Sequence, residues 1–521
     1  MPADLHPSPG DRRHPHILLD KNCLIGYLEN SSIAKTKNSQ GLDVEVSFKT
    51  ADPPAISLCF ACCVDRQTGS SLVAEPFILG IAGRFVLLAI TFLDSANHYR
   101  RFIDYFVYKA GGPGSASLHL LPRPYPSSFS RNLVAVLPVT DNNSEEDFAV
   151  VFPRVEYLVP ESRRHYTLHV YRSDMNAWHS QAAYVAEDSE TRNAKHKILL
   201  HNAMSVAYAG KGVIGWIDLW WGILLCNVLD SKPIIRFIPL PIPEPCDPSE
   251  FHLTYEDFTP RPHRHVTICN GLIKFVGLNF HADNAIHSMK QAQDHGWTAT
   301  TWTRSIYSDD VWHDGMTIDT SEIYFTDSSL PSLLPGMFDE ENNLTWGKFT
   351  TAGPTLSLLD DDIIYIMAKE SMCHRTAYVL AVNTKSLKLE SGAQCSAQKM
   401  SWFEPTYEPC LLLSSFSTTS ELVKEFETKA TIMETKDGPI LSVLSKRLHA
   451  LRKQQNRIAQ MEESVAAGKT LSQEQQKEAM RSKPVLAAVI DELERLRAPL
   501  AAALAEELST ISAPAAGSSS I

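Results

Sequence analysis

The stretch GWIDLWWGILLCNVLD, residues 215–230, sets three tryptophans and a run of aliphatics around one aspartate. Three readings compete: a membrane span, the lining of a site, or part of a packed core. A spanning helix needs about 20 mainly apolar residues, whereas Val213 to Leu229 supplies 17 and carries Asp218 and Asn227 in its interior. Continued to Pro239, the sequence breaks into VIGWI, the interruption DLWWG, ILLCNVL, the polar DSKP and IIRFIP. Gly222 and Pro233 punctuate runs of strand length, which predicts a three-stranded meander in a core. Those strands are apolar at nearly every position, so both faces need cover from neighbouring sheets. Blades stacked around an axis meet that demand. Trp220 and Trp221 fall in the turn, where an aromatic pair is a candidate partner-binding surface if exposed and a packing element if laid on the adjacent sheet.

The same grammar recurs along the chain. HYTLHVYRSDMNAWHSQAAYV, residues 165–185, alternates through Tyr166, Leu168 and Val170, breaks at SDMN and resumes at Trp178. VTICNGLIKFVGLNF, residues 266–280, turns at Asn270-Gly271, a dipeptide suited to a type I′ hairpin because both central residues need positive φ. No amphipathic helix of four turns or more stands out between about residues 16 and 416. The expected fold class is all-β and propeller-like, with six or seven blades and six favoured, because radial repetition leaves few sheet edges exposed. No WD or kelch signature recurs at a fixed period.

HILLDKNCLIGYLE (residues 16–29), DVEVSFKTADPPAISLCF (43–60) and above all GWIDLWWGILLCNVLDSKPIIRFIPLPIP (215–243) resemble the large plant family, expanded in grasses, labelled domain of unknown function 1618. The resemblance covers roughly residues 16–416. It implies a propeller-like β domain with no assigned reaction.

After SWFEPTYEPCLLLSSFS the composition shifts to helix formers. The expected organisation is a disordered N-terminus (1–15), the β domain (16–416), a linker (417–436), an α-helical hairpin or coiled coil (437–509) and a disordered tail (510–521). Asp437-Gly438-Pro439 opens the first helix, on which Leu441, Leu444, Leu448, Leu451 and Ile458 form a candidate assembly seam spaced by threes and fours. Ser472 and Gln475 form a capping box for a second helical stretch. Neither helix buries its stripe alone, which predicts a hairpin that pairs with another chain or with the β domain. SKRLHALRKQQNRIAQMEESVAAGKTLSQEQ resembles the helical region of caprin-type RNA-granule proteins, and that resemblance implies RNA association. Lys446, Arg447, Arg452, Lys453 and Arg457, with no acid between them, are the candidate RNA-binding residues, weighed against a solvated helix face.

With a formal charge of −12, whole-chain electrostatics disfavours nucleic-acid binding outside such a local basic face. The N-terminal segment has no apolar signal core, and ten cysteines in 521 residues are too sparse for a disulfide framework. An intracellular protein, in cytoplasm or nucleus, with reduced thiols is expected, and no membrane association. Cys59 and Cys62 form a C-x-x-C, but no second ligand pair for zinc stands at suitable spacing. His263, His265, His281, His287, His295 and His313 lie in one stretch without a recognisable ligand pattern. GGPGSAS (111–117) lacks the lysine of a P-loop, and Asp360, Asp361 and Asp362 are expected in a turn. No catalytic, cofactor-binding or metal site is assigned. The leading functional expectation is a non-catalytic protein-interaction scaffold, with self-association through the C-terminal helices. Its alternatives are an RNA-associated scaffold and an enzyme whose groups meet in the propeller mouth from different blades.

Overall fold

The computed structural model describes residues 16–412 except 27, 66–68, 71–73, 95–100, 112–113, 124, 126–131, 140–146, 156–164, 188–204, 242–259, 282–295, 308–310, 340, 342–343, 345, 347–348, 371–373 and 401–403; beyond 412 it describes Arg495. The chain divides into two units, Met1–Ser417 and Thr418–Ile521. The first is built of antiparallel meanders that follow one another in sequence.

The opening module holds β1 (Ile17–Asp20), β2 (Leu24–Ile25), β3 (Ala34–Lys37), β4 (Asp43–Lys49), β5 (Ile56–Asp65) and β6 (Gly69–Ser70). A second module runs through β7 (Phe77–Ala82), β8 (Phe85–Leu93), β9 (Arg101–Lys109) and β10 (Ser117–Leu120). The third is β11 (Ala135–Val139), β12 (Asp147–Val155), β13 (His165–Arg172) and β14 (Ala177–Val185). In the fourth, β15 (Ser205–Gly210) leads to β16 (Val213–Asp218), β17 (Gly222–Asn227) and β18 (Ile234–Pro239). The fifth comprises β19 (Arg264–Cys269), β20 (Leu272–Phe280), β21 (Trp297–Ser305) and β22 (His313–Asp319), and the sixth β23 (Thr350–Leu356), β24 (Ile363–Lys369), β25 (Thr376–Asn383) and β26 (Lys388–Ser396). Finally β27 (Tyr407–Cys410) returns to the opening module, pairing antiparallel with β1 so that Ile17 faces Cys410 and Asp20 faces Tyr407.

Six apolar clusters, each shared by two successive modules, make the stack a closed, propeller-like ring. Val46 and Cys59 meet Val86 and Phe106, Leu87 and Val107 meet Val136 and Val150, and Leu137 and Leu168 meet Trp216 and Leu224. Ile217 and Ile223 then meet Ile268 and Phe275, Val276 and Ala299 meet Ile364 and Leu380, and Tyr365 and Val379 meet Leu18 and Tyr407. Alternating side chains of one strand thus feed two different clusters, which is why strands such as β17 are apolar throughout. Four indoles reinforce the joints: Nε1 of Trp178, Trp216, Trp297 and Trp312 donates to Pro122 O, Leu133 O, Thr351 Oγ1 and Pro239 O at 3.1, 2.9, 2.7 and 2.8 Å. Each satisfies a polar tip that burial would otherwise leave unpaired.

The tryptophan-rich stretch and its continuation to Pro239 form the meander β16–β17–β18, with Trp216 opposite Leu224 and Leu224 opposite Phe237. Asn270 and Gly271 turn β19 into β20 with φ of 51° and 77°, the geometry a type I′ turn requires.

Two features of the expected fold class are corrected. Hydrogen bonding yields five sheets, with 7, 4, 8, 4 and 4 strands, rather than six or seven separate blades. The third and fourth modules merge because their outer strands β14 and β18 pair in parallel, Tyr184 with Ile234 and Val185 with Ile235. An unpaired strand edge accepts any well-placed neighbour, and here the neighbour is the chain itself. The C-terminal helical hairpin or coiled coil is also corrected: the described residues between 16 and 412 are nearly all β, and the helical elements among them are a 3-10 turn (Thr320–Glu322) and α1 (Leu330–Leu333). An apolar stripe spaced by threes and fours shows that a helix would have a face to bury, not that it finds a surface to bury it against. Apart from Arg495, which is helical and exposed, the span 437–509 lies outside the described residues, as do the expected N-terminal, linker and tail segments. No helix among the described residues is long and apolar enough to cross a membrane.

Candidate functional site

The inner strands β7, β15, β19 and β27 surround the ring axis, where two cavities meet. The larger, about 400 Å³, lies towards the turns that follow these strands and is lined by Gly83, Lys211, Asn270, Gly271 and Tyr307. The smaller, about 260 Å³, lies at their leading ends and is lined by the charged side chains of Lys21, Arg261, Lys399, Glu404 and Glu408 and by the imidazole of His265. Lys21, Ser205, Val266 and Glu408 border both, so the two form parts of one axial recess.

Most charges of the smaller cavity have partners. Lys399 pairs with Glu75 at 2.8 Å and also donates to Cys23 O at 3.4 Å. The Arg261 guanidinium donates to Pro354 O at 2.7 Å and Thr355 Oγ1 at 2.9 Å, anchoring it to β23. Burial lowers the pKa of that guanidinium, against the pull of Glu408, Tyr407 and Glu404. His265 is 4% exposed. Its Nδ1 accepts the Leu356 N–H at 3.2 Å, which leaves Nε2–H to donate to Glu408 Oε2 at 3.4 Å. Burial, aided by the Arg261 charge, pushes the imidazole pKa down, so the ring is neutral and the contact is a hydrogen bond rather than an ion pair. For Glu408, burial acts to raise the pKa, but the His265 hydrogen bond and the nearby Lys21 and Arg261 charges outweigh it and hold the carboxyl at about 2.

Lys21 and Glu404 differ from their neighbours. Among the described residues the Lys21 ammonium has no ion pair or side-chain hydrogen bond, only the Phe77 ring at 5.8 Å. The Glu404 carboxylate, also half-buried, has neither among the described residues. The wall therefore offers one unpaired charge of each sign.

Trp220 and Trp221 sit in the β16–β17 turn, half-buried, and line neither cavity. Arg264 lies over the Trp220 ring at 5.4 Å while donating to Leu219 O at 2.9 Å, and Trp221 packs against the cluster around Trp216. Candidate RNA-binding residues Lys446, Arg447, Arg452, Lys453 and Arg457, and seam residues Leu441, Leu444, Leu448, Leu451 and Ile458, lie outside the described residues. Cys59 and Cys62 sit three apart on β5 and so point to opposite faces: Cys59 enters the first apolar cluster, while Cys62 stands opposite Glu45. Burial pushes both thiols up, Cys62 to about 11. His263 is edge-on to Phe280, His281 hydrogen-bonds Thr298 at 2.6 Å, and Asp361 pairs with the buried Lys274. Among the described residues no group of three His, Cys, Asp or Glu side chains converges as metal ligands.

The cavity charges escape a reading along the chain because they come from positions 21, 261–265, 399 and 404–408. One local signal exists. In EPTYE, Glu404, Thr406 and Glu408 alternate, which in an extended segment places them on one side.

The described part of the first unit is thus an all-β ring with an axial recess. Residues 216–365, from β16 into β24, match the model of the family described as "Protein of unknown function (DUF1618)", which supports the resemblance read from the sequence. No curated protein matches the chain. Among solved structures it is similar to the WD40 domain of SCAP from fission yeast, at 8% identity over 70% of this chain and 74% of that one, with a TM-score of 0.26. It is also similar to Kuenenia stuttgartiensis hydrazine synthase, at 10% identity over 69% and 81%, with a TM-score of 0.25. Neither likeness bears on what this chain does.

Proposed function

We propose that this protein is an intracellular, non-catalytic interaction scaffold whose β ring docks a protein partner at the smaller axial cavity. The observation that carries the reading is the convergence of charged side chains from the two ring-closing segments and the β19 region around a recess of about 260 Å³. A concave site with a few convergent polar groups is the usual form of a recognition pocket. The imidazole of His265 has both ring nitrogens engaged, which fits a framing role. The eight described cysteines are free thiols, seven of them buried, in keeping with a reducing compartment.

The test is comparative. Tagged full-length protein is recovered from native tissue as wild type, as Lys21→Glu and Glu404→Lys, and as Tyr307→Ala at the opposite cavity. A partner retained by wild type and Tyr307→Ala but lost from both charge reversals, with melting temperatures unchanged, is the expected result. A partner set indifferent to both charge reversals would overturn the reading.

A further inference from the structure

We infer that the smaller cavity is a binding site for one ligand carrying both a carboxylate and a basic group: a basic amino acid, either free or as the C-terminal residue of a peptide. In its peptide form this deepens the docking reading above and rests on it; in its free form it does not.

The inference starts from the inventory of charges around the recess. Lys399 pairs with Glu75, the Glu408 carboxylate accepts a hydrogen bond from the neutral His265, and Arg261 donates to two neutral acceptors on β23. Lys21 and Glu404 line the same cavity, are both half-buried, and among the described residues pair neither with each other nor with any other group. Lys21 acts through space on Glu408 and Glu404 on Arg261, but neither Lys21 nor Glu404 makes a direct ion pair or side-chain hydrogen bond among the described residues, so each keeps unused hydrogen-bonding capacity in a partly desolvated recess. A ligand with a single charge relieves one and buries the other deeper. A ligand with a carboxylate for Lys21 and a guanidinium or ammonium for Glu404 relieves both. The part of the recess between Lys21 and Glu404, about 260 Å³, is of a size to take one amino-acid residue. Asn22, Asn132 and Ser205 on the same wall offer neutral hydrogen-bonding groups to the remaining polar atoms of such a ligand.

Isothermal titration calorimetry on the full chain tests this with four probes: L-arginine, agmatine, N-acetyl-Gly-Gly-Arg as the free acid, and the same peptide as its amide. Arginine or the acid peptide binds saturably, and removing the carboxylate, as agmatine or as the amide, weakens binding about tenfold or more, the effect of losing one charge-assisted hydrogen bond. Lys21→Met removes that preference for the acid form, while Glu404→Gln weakens the acids and their carboxylate-free analogues alike. Stronger binding of the peptide than of arginine assigns the site to a chain terminus; the reverse assigns it to the free amino acid. No saturable binding by either acid, or undiminished binding by Lys21→Met, overturns the inference. Loss of a protein partner from the charge-reversed variants, with no binding of these probes, would leave the docking reading standing and remove this one. Arginine binding with an unaltered partner set would do the opposite.

Discussion

Asp218, the lone acid in the stretch that organises the fold, makes a specific claim about pH. It ends β16 at 7% exposure. One oxygen, Oδ1, accepts the Trp220 N–H at 2.9 Å, and Oδ2 has no hydrogen-bond partner. Arg264 is near enough to act on it electrostatically, but its guanidinium donates to Leu219 O. Burial pushes the carboxyl up from its ordinary 3.8 to about 6, against the opposing pull of the Trp220 and Trp221 amides and Arg264. The folded state therefore holds this proton more tightly than the unfolded state does. The stabilisation from that proton is full below pH 3.8 and is lost as pH rises to about 6. The interval corresponds to roughly 3 kcal/mol. Asp218→Asn keeps an acceptor for Trp220 and cannot ionise. Its stability relative to wild type should rise by roughly 2.5 kcal/mol between about pH 4 and pH 7, most of it by about pH 6. Urea denaturation of both proteins across that range measures the difference, in which the titration of every other group cancels. A difference that changes by less than about 1 kcal/mol, or that falls with pH, would refute the account of Asp218 as a buried carboxylate short of partners.

Two further substitutions probe the joints between modules. Trp216 is fully buried and donates to Leu133 O, so Trp216→Ala should destabilise by about 3–5 kcal/mol and Trp216→Phe, which leaves that carbonyl without its donor, by about 1–2 kcal/mol; equal losses in urea titration would show that the hydrogen bond contributes nothing separable. At Gly222 a Cβ would lie 2.3 Å from Ile238 O and 2.6 Å from the Phe237 ring, whereas at Gly277 it would meet nothing nearer than the Trp302 ring at 3.5 Å. Gly222→Ala should therefore lower stability by about 2 kcal/mol or more and Gly277→Ala by much less, read as thermal midpoints of the purified variants.

What the sequence discloses and what it withholds divide by the range of the interaction. The β16–β17–β18 meander is legible because Gly222 and Pro233 break its runs locally, and the Asn270-Gly271 turn because its backbone needs are set by two adjacent residues. Saturated apolar strands announce that both faces are covered, and the shared clusters supply that cover. The β14–β18 seam is not legible, since nothing in Tyr184, Val185, Ile234 and Ile235 distinguishes an edge that pairs across modules from one that ends a blade. The cavity is hidden for the same reason: Lys21 and Glu404 are ordinary surface-type residues until the ring closes.

That closure joins fold to site. Arg261 and His265, the anchored members of the cavity wall, lie within the family-matching segment 216–365, fixed to β23 by Pro354, Thr355 and Leu356. The two unpaired charges lie outside it, Lys21 immediately after β1 and Glu404 three residues before β27. Only the pairing of these two strands, whose partners stand nearly the whole ring apart in sequence, brings them to one recess. The Lys21 N–H also bonds Thr406 O at 2.9 Å, so the backbone carrying the ammonium is tied directly to the segment carrying the carboxylate. Separating β1 from β27 would divide Lys21 from Glu404 before it disturbed Arg261 or His265. A ligand that engages both charges binds only the closed ring, and by mass action it stabilises the one joint in the ring that chain connectivity does not hold together.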